Sequence, residues 1–312
     1  MPRRRLSVLG GIALLLLLNL ALAAHAAPSS NVEGPVIHLE DVDRFYKLYD
    51  GAGGHPSAEQ LQREYLDLGS EGLHTFAKIR NITGERIAAT LAKTPELYST
   101  ARQCAAALPH VRHRLSAAMG KLAELYPDAR FPPITIAVGR GRPVGTASQR
   151  DGVMIGLEAL CAVKYFDPNV EDRFVHVIAH EYIHVQEKSS ITDDEHPTVL
   201  ELSLAEGAAE FVGEMISGGV ANPGIWAEAK GRETQIETAF VPDEDKTDLS
   251  DWAFNGSLEK PGDLAYWVGY RIVKSYYQHA SDKRRAIREI LEMSDPKDFL
   301  AKSAWRPGMQ LH

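Results

Sequence analysis

The sequence is poor in cysteine, in positive charge and in long apolar runs, and each shortage excludes a class of protein. With only two cysteines in 312 residues, the chain cannot be a disulfide-dense scaffold. Its 42 Asp and Glu outnumber its 34 Lys and Arg, which gives a formal net charge of −8. Nucleic acids and anionic membranes select basic surfaces, so neither is expected to be the main partner.

The two cysteines, Cys104 and Cys161, leave two interpretations open. They could form a disulfide if the protein folds in an oxidising compartment. They could equally be free thiols in apolar surroundings, because sequence spacing does not show whether two residues lie within bridging distance.

The longest apolar run, Val8–Ala23, lies at the N-terminus and is too short for a membrane span of roughly 20 residues. Three arginines precede it, and Ala24-His25-Ala26 follows as a small-residue cleavage site. This order predicts a secretory signal peptide over residues 1–26. The alternative is an uncleaved anchor helix. We expect cleavage before Ala27, a periplasmic or secreted protein, and no stable membrane insertion afterwards.

The remaining chain has no internal repeat and predicts a predominantly helical α+β fold with a small sheet. Residues 27–130 form a helical region by their apolar periodicity, and residues 131–312 form the core packed against it. Two β-branched runs, Ile134–Val138 and Val153–Leu157, predict strands joined by an exposed loop. Helices are expected over 171–188 and 198–217, a loop at 189–197, a surface segment at 240–262, and two closing helices.

The helix expected over 171–188 contains His180-Glu181-Tyr182-Ile183-His184, an H-E-x-x-H motif. Histidines four apart share one helix face and can bind one metal ion, for which zinc suits the imidazole and carboxylate chemistry. Glu181 borders that face and can take a proton from a zinc-activated water. His176 also shares the face, but it lies about 12 Å along the axis from His184, too far for a common ion.

A catalytic zinc site needs a third protein ligand, and the sequence offers several. The metzincin pattern is excluded because Glu187 and Ser190 occupy its glycine and histidine positions. Candidates on or before the next helix are His196, Glu201, Glu206, Glu210 and Glu214. We favour Glu206, whose small neighbours, including Gly207 in mid-helix, would allow close packing against the histidine helix. Glu210 could then accept the free N–H of a ligating histidine.

The H-E-x-x-H motif followed by E-x-x-x-E on the next helix resembles the gluzincin zinc peptidases. More narrowly, the chain resembles a bacterial family of predicted Zn-dependent proteases, a domain of unknown function. The similar stretches, in the same order, are LDLGSEGLHTFAKIR (66–80), GVMIGLEAL (152–160), HEYIHVQ (180–186), LAEGAAEFVGEMISG (204–218) and YWVGYRIVKSYY (266–277). The resemblance implies His180, His184 and Glu206 as ligands of one zinc ion per chain, with Glu181 as the base. Glu210 stands where the best-known gluzincins have aspartate.

The resemblance further implies a zincin-like fold, with an edge strand beside the histidine helix that pairs with an extended peptide. GVMIGLE (152–158) would be that strand, although an ordinary core strand is the alternative. Peptide hydrolysis also needs a donor for the developing oxyanion. Tyr266, Tyr270 and Arg271, on an aromatic-rich helix, are the candidates, although aromatic stripes commonly belong to a core.

These observations favour an exported zinc metallopeptidase acting on peptide or protein substrates. The alternative function is an exported binding or scaffold protein with a structural zinc and no hydrolytic activity. Such a site would fill the fourth position with a protein ligand, for which His196 is the nearest candidate. The intact Glu181 favours catalysis, since a structural site has no use for a base.

Overall fold

A computed structural model describes residues 35–142, 144–188 and 195–311. The expected signal peptide at 1–26 and most of the loop expected at 189–197 lie outside these described residues. Within them, no helix combines the length and the apolar character that a membrane crossing requires.

The first part of the described chain is helical, as its apolar periodicity predicts. Its helices are α1 (Glu40–Gly51), α2 (Ala58–Gln60, continued by a π-helical turn at Leu61–Leu66), α3 (Glu71–Arg80), α4 (Gly84–Lys93), α5 (Pro95–Cys104) and α6 (Leu108–Leu125), with a 3₁₀ turn at Ala105–Ala107. Ser57, Ser70 and Thr83 begin α2, α3 and α4 by accepting a backbone N–H with their hydroxyl oxygens.

A four-stranded mixed sheet follows, built from β1 (Ile37–His38), β2 (Ile134–Ala137), β3 (Gly145–Ser148) and β4 (Gly152–Gly156). The strand order is β1-β2-β4-β3, with β1 and β4 parallel to β2. β3 runs antiparallel to β4, with Thr146 opposite Met154. The pairing of β1 with β2 ties the start of the helical region to the sheet.

The sheet corrects two expectations from the sequence. The segment between the two expected strands is not simply a loop, because it contains β3, whose short and half-buried GTAS run has no apolar alternation. GVMIGLE is not an edge strand either. β4 is hydrogen-bonded on both sides and buried throughout, and the last two residues of that segment, Leu157 and Glu158, begin the next helix. Among the described residues, the edge strand on this side is β3.

The rest of the chain is again helical. Its helices are α7 (Leu157–Ala162), α8 (Val170–Gln186), α9 (Val199–Ser217), α10 (Pro223–Ala229), α11 (Glu233–Phe240), α12 (Leu264–His279), α13 (Lys283–Leu291) and α14 (Pro296–Lys302), with a 3₁₀ turn at Val241–Asp243. The Asn169 side chain begins α8, and a capping box of Thr198 and Glu201 begins α9. Gly218, at a φ of 94°, ends α9 in the left-handed conformation.

Helix α9 packs between α8 and α12, and glycines set the two distances. A Cβ on Gly207 would lie 2.0 Å from the carbonyl carbon of Gly269, and one on Gly269 would lie 1.6 Å from the Ser203 oxygen. Gly207 therefore serves the close approach of α12, not that of the histidine helix as the sequence suggested. On the α8 side the corresponding residue is Gly213, whose Cβ would lie 3.4 Å from the His180 backbone.

A disulfide and a buried, hydrogen-bonded carboxylate hold distant parts of the chain together. Cys104 at the end of α5 forms a disulfide with Cys161 of α7, with 6.1 Å between the Cα atoms. This resolves the two interpretations of the cysteines in favour of the pair.

The carboxylate in question is that of Glu237 in α11, which is fully buried. It accepts hydrogen bonds from Arg271 Nε, from Trp305 Nε1 at 3.2 Å and from the Gly308 N–H at 2.6 Å. The C-terminal segment is thereby fastened to α11 and α12. The described residues all belong to one compact unit.

Candidate metal centre

Three side chains from two neighbouring helices converge on one point. His180 and His184 come from consecutive turns of α8, and Glu206 comes from the middle of α9. The two Nε2 atoms lie 3.2 Å apart, and Glu206 Oε2 lies 3.2 Å from each of them. Three potential ligand atoms thus form an equilateral triangle, which we call the donor triangle.

The size of the donor triangle fits zinc. Zinc–nitrogen and zinc–oxygen bonds of about 2.0–2.1 Å in tetrahedral geometry place neighbouring donors about 3.3–3.4 Å apart. The observed sides of 3.2 Å are close to this separation. His180, His184 and Glu206 are also the group that can reach one metal ion among the residues that the structure describes.

The outer nitrogens of the two histidines face carboxylates. His184 Nδ1 lies 2.7 Å from Glu187 Oε2, and His180 Nδ1 lies 3.5 Å from Glu210 Oε1. An ionised carboxylate can only accept, so the Glu187 contact keeps the proton of a neutral His184 on Nδ1 and directs the Nε2 lone pair into the triangle. A cation placed there would be stabilised by the Glu206 carboxylate and by this lone pair.

Glu187 and Glu210 differ in how closely they approach the outer nitrogens of the two histidines. Glu187 makes a short contact that the sequence analysis missed, although its spacing of three residues from His184 was a usable signal. Glu210 is held by the Ala221 N–H and by Asn222 Nδ2, each at 2.9 Å. Its contact with His180 is longer than a standard hydrogen bond. The predicted role of Glu210 as acceptor for a ligating histidine stays a prediction.

The three groups of the triangle are strongly coupled electrostatically. Burial lowers the pKa of His180, but its contacts with Glu206 and Glu210 outweigh burial and raise the pKa to about 10. Burial likewise lowers the pKa of His184, while Glu187 and Glu206 raise it well above its usual value. Burial raises the pKa of Glu206, yet the two histidines hold it far below its ordinary range. A metal ion bound in the triangle would compete with protons for the imidazole nitrogens.

Glu181 lies beside the triangle without belonging to it. Its carboxylate points toward β3, where a Cβ on Gly145 would come within 2.3 Å of Glu181 Oε1. The missing side chain of Gly145 therefore makes the space that Glu181 occupies. Burial raises the pKa of this carboxyl, and Glu206 raises it further, while His180, His184 and Arg80 lower it. A carboxylate with a raised pKa is suited to accepting a proton near neutral pH.

The triangle opens into a cavity of about 400 Å³, which we call the catalytic cavity. One wall is the edge strand β3, represented by Gly145, Thr146 and Ala147. Glu181 and Tyr266 line the cavity beside the ligand atoms. In the described chain the centre therefore opens into a cavity, whereas a structural zinc site is closed by four protein ligands.

The other candidates for the third ligand have different partners. Glu201 accepts the N–H and hydroxyl of Thr198 at the start of α9. Glu214 accepts the Tyr270 hydroxyl at 2.5 Å. His196 is exposed and is not part of the group that converges on the centre.

His176 is a core residue, as its distance along the helix predicts. It is 8% exposed and does not belong to the donor triangle. Its ring packs on Gly219, where a Cβ would come within 2.3 Å of the imidazole. Burial lowers the pKa of His176.

Of the three expected oxyanion donors, the structure brings only Tyr266 to the centre. Its ring stacks on His180, with centroids 6.0 Å apart and planes 6° from parallel. Tyr270 is one helical turn further along α12 and donates to Glu214. Arg271 lies on another face and binds Glu237 and the Met309 carbonyl. The structure therefore removes Tyr270 and Arg271 from the candidates.

Two residues near the centre were not predicted to belong to the site, although one of them, Arg80, ends the family-like stretch 66–80. Arg80, the last residue of α3, lines the catalytic cavity and donates to Thr146 Oγ1 at 2.8 Å. Phe254 is 70% exposed at the cavity and has a φ of 58°, an unusual backbone conformation for a bulky residue. Neither carries a local motif, and only the fold brings them to the centre.

Comparison with known proteins agrees with this geometry. The model of a family described as "Predicted Zn-dependent protease (DUF2268)" matches residues 147–300, and this is the family that the sequence resembles. The matched segment contains all three corners of the donor triangle, Glu181 and Tyr266. No curated protein and no solved structure matches the chain.

Proposed function

Residues 147–300 belong to a family of predicted Zn-dependent proteases, and from this premise we propose that the protein is a gluzincin-type zinc metallopeptidase that hydrolyses peptide bonds. The observation that carries the proposal is the donor triangle with sides of 3.2 Å, made of two imidazole Nε2 atoms and a carboxylate oxygen. His180, His184 and Glu206 would hold one zinc ion per chain. Zinc bound there would supply Lewis acidity, which polarises a carbonyl and makes water easier to deprotonate.

Glu181 is the general base of the proposed reaction. It is half-buried beside the ligand atoms, faces the catalytic cavity, and has a raised pKa. It takes a proton from the attacking water and later delivers this proton to the leaving amine.

Tyr266 is the proposed donor to the oxyanion that develops on the scissile carbonyl. Burial raises the pKa of its phenol well above the usual value, and Glu206 raises it further. The hydroxyl therefore stays protonated at neutral pH and can donate a hydrogen bond. Tyr266→Phe should lower kcat by about 10²-fold with little change in zinc content; an unchanged kcat would remove this role.

β3 is the proposed peptide-binding edge. It is the outermost strand on its side of the sheet in the described chain, and it lines the catalytic cavity beside Glu181. Its outward N–H and C=O groups are available to an extended peptide, which would be held across the centre as an added strand.

The Cys104–Cys161 disulfide supports the proposal that the protein is exported, since disulfides persist in oxidising compartments. Sequencing the N-terminus of the protein recovered from a periplasmic fraction tests this. A terminus at Ala27 is expected, and an intact Met1 in a cytosolic fraction would refute export.

The test of the catalytic proposal is Glu181→Gln. This variant should retain one zinc per chain by metal analysis and lose at least about 10²-fold of the turnover on a mixed peptide library, because it removes the base but no ligand. Near-wild-type turnover would exclude Glu181 as the base. A wild-type protein that binds zinc and cleaves no peptide, with or without chelator, would favour the structural-zinc alternative.

A further inference from the structure

A second cavity adjoins the catalytic cavity and is lined by four arginines. Arg80, Arg86, Arg140 and Arg142 come from α3, α4 and the segment after β2, and we call this cavity the arginine cleft. His180, Glu181 and Tyr266 line both cavities. A molecule in the arginine cleft therefore lies directly beside the proposed reacting centre.

None of these four arginines pairs with a carboxylate among the residues that the structure describes. Arg80 donates to Thr146 Oγ1, and its buried Nε has no partner there. Arg140 donates through Nε and Nη2 to the backbone oxygen of Arg80, at 3.2 and 3.0 Å. These are contacts to neutral oxygens, so neither guanidinium group forms a direct ion pair with a carboxylate in the described chain.

The two exposed arginines of the cleft also donate to neutral oxygens and not to carboxylates. Arg142 donates to the Gly256 carbonyl at 3.0 Å, and Arg86 donates to the Asn81 carbonyl at 3.4 Å. Elsewhere on this acidic chain, arginines such as Arg102 and Arg288 pair with carboxylates.

Like charges in the cleft act on one another. Burial lowers the pKa of the Arg140 guanidinium, and the neighbouring charges of Arg86 and Arg80 lower it further, while the Glu158 carboxylate raises it. The acidic groups that line the cleft are Glu181 and Asp263. Burial raises the pKa of Asp263 to about 6, and Glu181 and Asp263 in their ionised forms balance two of the four guanidinium groups. An anionic ligand would relieve the remaining repulsion.

We propose that the arginine cleft binds a carboxylate of the substrate next to the scissile bond, so that the protein selects peptides with an acidic group at that place. This deepens the proposed peptidase function and rests on it. The guanidinium group matches a carboxylate through two parallel hydrogen bonds, which gives geometric selectivity as well as attraction. The carboxylate is either an Asp or Glu side chain or the free C-terminus of the peptide.

The apolar wall of the cleft limits what accompanies the carboxylate. Val163, Tyr165, Phe166 and Leu258 also line the cleft. A cleft of about 600 Å³ has room for one or two residues in addition to the charged group.

Binding to the inactive Glu181→Gln protein loaded with zinc tests the inference without requiring turnover. Isothermal titration calorimetry would compare N-acetylated hexapeptides that differ in one charge. The reference is a neutral, glutamine-containing peptide amide. The charged peptides are the same amide with glutamate at each position in turn, and the neutral sequence with a free C-terminus. At least one carboxylate peptide should bind about 10-fold to 100-fold more tightly than the neutral peptide. The position that gains affinity distinguishes a side chain from the C-terminus.

Variants then assign the preference to the cleft. In the same background, Arg140→Gln and Arg142→Gln should each reduce the ratio of affinities, while Arg140→Lys should restore part of it. The matched control is Arg63→Gln, an exposed arginine of the helical region that pairs with Glu59. Equal affinity for carboxylate and neutral peptides, or a preference unchanged in both cleft variants, would overturn the inference. The peptidase function itself would fail separately, by absent turnover in the wild-type protein.

Discussion

Replacing Glu206 with glutamine should remove most of the stability that zinc adds to the protein. The change keeps the shape of the side chain but removes the only negative charge from the donor triangle, whose three sides are 3.2 Å. Removing a contact that merely orients a ligand weakens metal affinity by about 10-fold to 100-fold. Loss of an ionised ligand should therefore cost at least about 100-fold.

This loss can be converted into a stability. At a buffered free zinc concentration about 1,000 times the wild-type Kd, binding should stabilise the wild-type protein by about 4.1 kcal/mol. For Glu206→Gln, the same zinc concentration is at most about 10 times the Kd, which gives no more than about 1.4 kcal/mol. At roughly 2–4 °C per kcal/mol, the zinc-induced increase in Tm should fall from about 8–16 °C to about 3–6 °C or less.

Differential scanning calorimetry with and without buffered zinc measures both increments. Glu214→Gln is the matched control, because Glu214 lies two turns further along α9 and binds the Tyr270 hydroxyl instead of facing the triangle. Its zinc-induced increase should equal that of the wild-type protein. A full increase in Glu206→Gln, or an equal loss in Glu214→Gln, would refute the assignment of the third ligand.

Three further predictions concern the scaffold. Gly207→Ala should destabilise the protein by about 1–3 kcal/mol in urea unfolding, because the new Cβ would meet the backbone of α12 at 2.0 Å. The control Gly120→Ala, in the open middle of α6, should instead stabilise the protein by up to about 1 kcal/mol. A gain of stability at both positions would contradict this packing. Exchanging both Cys104 and Cys161 for serine should lower the free energy of unfolding by up to about 4 kcal/mol, since the disulfide closes a loop over a sequence separation of 57. A change below about 1 kcal/mol would show that the disulfide does not stabilise the protein. The folded-state pKa of Asp263 is raised from 3.8 to about 6, so ionisation of Asp263 opposes folding. As the pH rises from about 4 to about 6, the free energy of unfolding of the zinc-free wild-type protein should therefore fall by up to about 3 kcal/mol relative to Asp263→Asn. A difference between the two proteins that does not vary with pH would refute this.

The sequence predicted the centre of the site better than its surroundings. Residues four apart on a helix have a fixed relative position, so His180 and His184 could be placed without the fold. Glu206 needed the additional inference that the next helix packs against the first. The same inference assigned Gly207 to the wrong neighbour, because a glycine in mid-helix indicates close packing without indicating against which element.

Residues that only the tertiary fold brings to the centre could not be predicted. Arg80 is about 100 positions before the H-E-x-x-H motif and reaches it through the packing of α3 on the sheet. Strand β3 escaped prediction because four small, half-buried residues carry no alternation. Tyr266, Tyr270 and Arg271 were equivalent in sequence, and only the rotation of α12 about its axis distinguishes them.

The buried carboxylate of Glu237 sets a boundary for any shortened version of this protein. The segment that matches the family ends at residue 300, whereas two groups that donate to Glu237, Trp305 Nε1 and the Gly308 N–H, lie beyond that point. At the other end, β4 loses its central neighbour if β2 is removed. Residues 147–300 therefore match the family but lack these contacts, and we expect a stable fragment to need both β2 and the chain through Met309.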